Sequence, residues 1–181
     1  MGQYNVFAFA AVNRFILDEL NNAGIMTPTV IANGITLSSI TPGGEIPELN
    51  NVDLTGANDA ETSFIVYSVS QSAGTDVVID AETLTYTVVG LSVSKVMEIT
   101  GFIRQLTRRL DWSAQHINNW IRNYNPQSPF FFLQMNNEMV VGPQPVKQEG
   151  GRYATMLSLK YTFVENNTIE DPSSDYKGMR F

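Results

Sequence analysis

The sequence lacks cysteine altogether and has a single histidine, His116, among its 181 residues. Without cysteine there is no disulfide framework and no thiolate metal site. No apolar run approaches the ~20 residues that a membrane-spanning helix needs. The first residues also lack the positive cluster that opens a signal peptide. These absences predict an intracellular protein with no span across a membrane.

Charge is also scarce, at 16% of residues against an average near ~25%. Only 11 residues are Lys or Arg and 18 are Asp or Glu, which gives a net charge of −7. This balance argues against nucleic-acid binding by counterion release, which requires clustered cations. An acidic surface would instead let DNA slide past. The low charge favours a surface covered by other subunits, with a neutral-surfaced monomer as the alternative.

Three stretches have the spacing of amphipathic helices. The first is predicted to run from a cap at Asn5 to about Ala23, with Gly24 just past its end. The second covers residues 96–110, with apolar residues every three or four positions after a serine cap at 92 or 94. The third starts near position 111 or 113 and ends before Pro126.

Four stretches alternate or have strand-forming composition, namely residues 64–71, 83–88, 130–135 and 153–163. Residues 139–151 contain two prolines and a glycine pair and are predicted to be an exposed hairpin tip. Hairpins separated by helices indicate an α+β fold. We therefore expect a mostly antiparallel sheet of two hairpins with helices packed on one face.

Two segments fit neither helix nor strand. Residues 26–61 are rich in Pro, Gly, Thr and Asn, and a loop this long is uncommon in a compact domain. Residues 165–181 form a polar C-terminal tail. The prediction is one α+β domain over residues 1–164, with 26–61 as an extended loop arm and 165–181 as a tail.

His116 lies between Trp112 and Trp120 at helical spacing. A histidine acting as a general base needs a nucleophile and an orienting carboxylate. Asp111 is near in sequence, but no Ser or Cys nucleophile motif is present. The preferred interpretation is therefore a non-catalytic histidine on a helix surface or at an interface.

The arginines at 104, 108 and 109 fall on the solvent side of the second helix. Such a strip suits a phosphate backbone or the carboxylates of a neighbouring subunit. Because the whole chain is acidic, the protein partner is favoured.

Two groups of carboxylates could hold a hard cation, although neither has the spacing of a twelve-residue calcium loop. Solvated loop acids are the preferred interpretation of both. The first group is Asp53, Asp59 and Glu61, and the second is Asp76, Asp80 and Glu82.

The most distinctive block is IRQLTRRLDWSAQHIN, residues 103–118. It is followed by three phenylalanines at 130–132 and by Gly-Gly-Arg-Tyr at 150–153, and it is preceded by the hairpin segments FIVYSVSQ and LTYTVVG. Together these segments resemble tail terminator (tail completion) proteins and related neck proteins of long-tailed bacteriophages. The resemblance covers residues 60–164 and an N-terminal helix in the expected place. It does not account for the arm or the tail.

This resemblance implies a structural protein of the virion tail or neck, assembled in the host cytoplasm, with no enzymatic activity and no cofactor. It implies a hexameric ring that caps the tail tube and joins the tail to the head connector. The expected partners are the tail tube protein, the head–tail connector and the tail sheath protein, and DNA passes through the lumen without specific binding. The expected subunit-interface residues are Arg104, Arg108, Arg109, Trp112 and His116. The expected DNA-channel residues are Asp76, Asp80, Asp53, Asp59 and Glu61.

Three alternatives stay open at this point. The chain could be another neck or head–tail connector protein. It could be a small-molecule or peptide-binding module with an aromatic groove at residues 130–132. A hydrolase is the weakest class, because the sequence offers no nucleophile–base pair.

Overall fold

The computed structural model describes residues 7–25, 64–72, 79–90, 92–108, 110–146 and 151–165. The predicted arm at 26–61, the predicted cap at Asn5 and residues 166–181 of the predicted tail lie outside this part of the chain. The elements follow one another as α1 (Ala8–Asn22), β1 (Phe64–Ser72), β2 (Asp80–Gly90), α2 (Val93–Arg108), α3 (Leu110–Tyr124), β3 (Phe130–Pro145) and β4 (Tyr153–Glu165). None of the described helices is long and apolar enough to cross a membrane.

The four strands form one antiparallel sheet in the order β1-β2-β4-β3. Two hairpins, β1–β2 and β3–β4, meet along the β2–β4 ladder. The helices contact one face of this sheet, where Leu84 and Tyr86 of β2 lie opposite Leu159 and Leu157 of β4. The α+β class, the two hairpins and the one-sided helical layer are confirmed.

The core lies between the helices and the sheet and is built by two periodicities. Strand side chains reach it at every second position and helix side chains at every third or fourth. Its largest fully buried members are Tyr86, Tyr161, Phe15, Phe132, Ile16, Leu20, Leu84, Ile99, Ile103 and Ile117.

The start of α1 differs from the prediction. The N-cap is Phe7, which is extended and makes no side-chain capping bond, rather than Asn5. Within the described residues the buried stripe of α1 begins at Ala8, directly after the exposed Phe7. The predicted end is confirmed, because Gly24 has φ +67° and donates its N–H to Asn21 O at 2.8 Å.

Of the two predicted caps of α2, Ser92 is confirmed, since the Lys95 N–H donates to Ser92 Oγ at 3.2 Å, and the helix begins at Val93 rather than at residue 96. Val96, Ile99 and Ile103 are fully buried, whereas Leu106 is only half-buried. The predicted end at 110 is wrong, because α2 ends at Arg108 and Leu110 opens α3. As predicted, α3 ends before Pro126.

The strand β3 is much longer than predicted, because it continues through most of the expected hairpin tip to Pro145. Three register shifts against β4 accommodate residues that a regular ladder would reject. One of them lies between Val141 and Gln144 and contains Pro143, which has no N–H to donate. Gly142 has φ +116°, and a Cβ there would lie 2.7 Å from the Ala154 oxygen, so the backbones approach too closely for a side chain.

Candidate functional site

Arg104 is exposed on α2, in the helical layer that covers one face of the sheet. The helix beneath it is fastened to β3, because Asn137 Nδ2 donates to Arg104 O at 3.1 Å and Thr107 Oγ1 donates to Asn137 Oδ1 at 2.7 Å. The strand thus fixes the main chain of Arg104 and leaves its guanidinium at the surface. A fixed, exposed arginine is suited to pairing with a carboxylate of another molecule.

The rest of the predicted arginine strip is located less fully. Arg108 is the last residue of α2 and Trp112 lies in the first turn of α3, and the structure describes the backbone of both. Arg109 lies outside the described residues. The strip therefore stays a prediction, with Arg104 as the member whose side-chain position is known.

His116 lies on α3 with 54% of its side chain exposed. Its Nε2 is 3.4 Å from Glu19 Oε2 of α1, and its ring meets Phe15 edge-on with centroids 5.3 Å apart. Trp120 meets the same Phe15 ring edge-on at 5.9 Å, so His116 and Trp120 share one face of α3 as predicted. The histidine therefore belongs to the packing of α1 on α3 and keeps an exposed edge.

A row of aromatic and cationic side chains, which is not among the predictions from the sequence, extends this contact. Trp120 and Tyr124 stack with centroids 4.7 Å apart, and the Arg14 guanidinium lies 5.5 Å from the Tyr124 centroid. Arg14 Nε also pairs with Asp18 at 3.0 Å. The signal was available, because Arg14/Asp18 and Trp120/Tyr124 are both i,i+4 pairs. These contacts join α1 to α3 beside the sheet.

The second face of the sheet carries no helix among the described elements. It is rich in small hydroxyl side chains, with Thr85 Oγ1 and Ser158 Oγ hydrogen-bonded at 3.0 Å. Lys160 on this face pairs with Glu138 at 3.6 Å. Phe131 and Met156 on the same face are each 40% exposed. Ser158 and Val66 on this face are buried, so its exposed part, with Phe131, Met156 and Lys160, is the second surface of the described fold.

The acidic candidates are mostly outside the described part of the chain. Asp76, Asp53, Asp59 and Glu61 all lie there, so their role in a DNA channel stays a prediction. Asp80 is exposed, but it is the first residue of β2, paired with Phe163, rather than part of a loop tip. It lies in the ladder because β4 extends far enough to pair with it.

Glu82 corrects the interpretation of the second acidic group as solvated loop acids. It is 5% exposed, because it shares the helix-facing side of β2 with Leu84 and Tyr86. Tyr161 lies opposite it and donates its hydroxyl to Glu82 Oε2 at 2.6 Å. Burial and the adjacent Glu82 carboxylate both raise the pKa of the Tyr161 phenol.

A second buried tyrosine is anchored in the same way. Tyr86 donates its hydroxyl to Asn13 Oδ1 of α1 at 2.7 Å. Burial raises the pKa of Tyr86, and Tyr67 adds to this effect. Both phenols hold polar groups inside the core. Among the described residues, no three His, Asp or Glu side chains converge as a metal site would require.

Neither the models of known protein families nor the curated protein sequences give a match to this chain. Two exposed surfaces are therefore the candidate functional regions of the described fold. They are the helical layer with Arg104 and His116 and the opposite sheet face with Phe131 and Met156.

Proposed function

We propose that this chain is a structural protein of the bacteriophage virion, a tail terminator that forms a ring, caps the tail tube and joins the tail to the head connector. The observation that carries the proposal is the position of residues 103–118 in the fold. The block spans the end of α2 and most of α3, and it leads into the β3–β4 hairpin. The α+β fold, an antiparallel sheet with helices on one face, agrees with the short α+β domain that the resemblance implies.

The two surfaces support assembly into a ring. A closed ring of identical subunits uses a heterologous interface, in which one patch of each subunit meets a different patch of the next. The helical layer presents Arg104 and His116, and the opposite face presents Lys160 with Phe131 and Met156. Two chemically different surfaces on opposite sides of a sheet meet this requirement.

The charge balance supports the passage of DNA. A ring of six copies would carry six times the net charge of −7. A lumen lined by carboxylates repels phosphate and lets a duplex move without adhering. Asp80 is the exposed candidate within the described residues, and the acids at 53, 59, 61 and 76 are the others. In the same scheme Arg104 pairs with a carboxylate of the neighbouring subunit.

The alternative function, a ligand-binding module, depends on an aromatic groove that the described fold does not have. Its aromatic groove required three exposed phenylalanines, but Phe130 and Phe132 are buried in the core and Phe131 alone is exposed. The prediction of an exposed aromatic groove is therefore wrong. The alternation of β3 explains this, since neighbouring residues of a strand point to opposite faces.

Native mass spectrometry tests the proposal on the full chain, alone and mixed with tail tubes and with head connectors. We expect six copies bound to the end of each tube. A mass of one copy under every condition would contradict the proposal, and six copies on the connector without affinity for tubes would assign the chain elsewhere in the neck.

A matched pair of variants sharpens this experiment. Arg104→Ala removes the fixed arginine of the helical layer, whereas Arg122→Ala removes an exposed arginine of α3 that lies outside the predicted interface. We expect ring formation to weaken by about tenfold or more for Arg104→Ala, as for a charge pair at an interface. The Arg122 variant should assemble as the wild type does. Ring formation by Arg104→Ala that matches the wild type, or that weakens no more than for Arg122→Ala, would show that Arg104 is not at the interface.

A further inference from the structure

The outer edge of β3 is bonded to a side chain rather than to another strand. Phe132 donates its N–H to Asn118 Oδ1 at 2.9 Å, and Asn118 Nδ2 donates to Phe132 O at 2.8 Å. In an antiparallel ladder the N–H and C=O of one residue point to the same side. Since β3 is the last strand of the described sheet, both groups of Phe132 point away from β4 and into α3.

The Asn118 side chain makes the bonds that a residue of an added strand would make. A carboxamide has one acceptor oxygen and an N–H₂ donor, as a peptide group has a C=O and an N–H. It therefore reproduces the pair of hydrogen bonds that two directly opposed residues exchange in an antiparallel ladder. Asn118 is 7% exposed, so its amide is enclosed between α3 and β3. At this position a helix side chain takes the place of a fifth strand.

Other features of β3 act in the same direction. The Asn137 side chain bonds to α2, as described above, and Pro143 and Pro145 supply no N–H groups. Three register shifts interrupt the strand. By contrast, β1 pairs with β2 in unbroken register over nine residues that include no proline and no charged side chain. Helix cover, prolines and bulges are the recognised means of protecting a sheet edge.

We propose that Asn118 is an edge guard, a strand-mimicking side chain that closes β3 to strand addition by a second copy of this chain. Copies then associate through other surfaces and not by extending the sheet at β3. The inference concerns the described fold and does not depend on the proposed place in a virion.

The test is Asn118→Leu in the full chain, a change of similar size that removes both hydrogen bonds. We expect the Phe132 amide to lose protection from hydrogen exchange by about tenfold or more, the scale of one lost hydrogen bond. We also expect species larger than those of the wild type in sedimentation, with exchange at residues 130–135 slowing again as protein concentration rises. That concentration dependence identifies new strand pairing at this edge.

The matched control is Ile121→Ala, which removes a buried apolar side chain from the same helix and leaves both groups of the Asn118–Phe132 hydrogen bonds in place. Both variants are compared at denaturant concentrations that give the same folded fraction. Association by Asn118→Leu alone supports the proposal. Equal association by both variants, or none by Asn118→Leu, overturns it. If Asn118→Leu does not fold, Phe132 exchange in the wild type decides, since a fast-exchanging amide there would also overturn the proposal.

Discussion

Replacing Tyr161 with Phe isolates one buried polar contact and gives a result that reverses with pH. The hydroxyl of Tyr161 is the donor to Glu82 Oε2 at 2.6 Å, in a core where Glu82 is 5% exposed. The variant keeps the ring and loses this donor to a buried carboxylate. At neutral pH we expect the free energy of unfolding to fall by about 1–3 kcal/mol, the usual cost of removing one partner from a buried hydrogen bond.

Alkaline pH should narrow this difference. The ordinary phenol pKa is about 10, and burial raises the pKa of Tyr161 in the folded protein. The unfolded chain therefore releases this proton first, so the stability that the neutral phenol contributes is present below about pH 10 and is lost as the pH rises. The loss is about 1 kcal/mol at pH 11 and about 3 kcal/mol at pH 12. The variant escapes it, whereas Tyr86 affects both proteins alike.

Urea unfolding of both proteins at pH 7, 9, 10, 11 and 12 measures these free energies directly. We expect a constant gap up to about pH 9, a smaller gap above pH 10 and a crossing near pH 11–12, from the magnitudes above. A difference in the free energy of unfolding that stays constant from pH 7 to 11 would show that Tyr161 ionises as readily in the folded protein as in the unfolded chain. That result would refute the account of the core around Glu82.

Three further changes test the packing and the channel. Ile103→Ala should lower the free energy of unfolding by about 2–5 kcal/mol, because it leaves a buried cavity. The control is Gly101→Ala on the exposed side of α2, which should not destabilise the protein because an added Cβ meets no atom within 4 Å. Equal shifts in melting temperature for the two variants would contradict this. Gly142→Ala should destabilise by about 1–3 kcal/mol because of its φ of +116°, and a melting temperature equal to that of the wild type would refute the close backbone approach. Under the proposed function, Asp76→Lys combined with Asp80→Lys should slow DNA ejection at low salt, because each exposed lysine would attract the DNA phosphates by about 1 kcal/mol. An unchanged ejection rate would show that these two residues do not face the channel.

The sheet and the core were the parts that the sequence predicted well. The strict alternation of β2 and β4 identifies the face on which Leu84, Tyr86, Leu157 and Leu159 meet the helices. The three-and-four spacing from Val96 to Ile103 does the same for α2. Both patterns work because burial on one face is the dominant constraint on these elements.

The errors have equally physical causes. Pro143 and the glycines around it indicate a turn, but register shifts let β3 pass through them to Pro145. The sequence alone indicates a loop acid at Glu82, because the partner that permits its burial, Tyr161, lies 79 residues away and no local pattern reveals it. The clamp between Asn118 and Phe132 is hidden for the same reason, since it joins a helix to a strand edge. Candidate interface residues are harder still, because their partners are on other molecules.

The proposed function requires six copies of this chain to form a ring at the end of the tail tube. Electron cryomicroscopy of the neck of assembled particles would show such a ring. We expect a six-fold ring between the tube and the head connector, in which the helical layer of each subunit, with Arg104, meets a different surface of the next. A ring of another symmetry, or a particle neck without this chain, would contradict it.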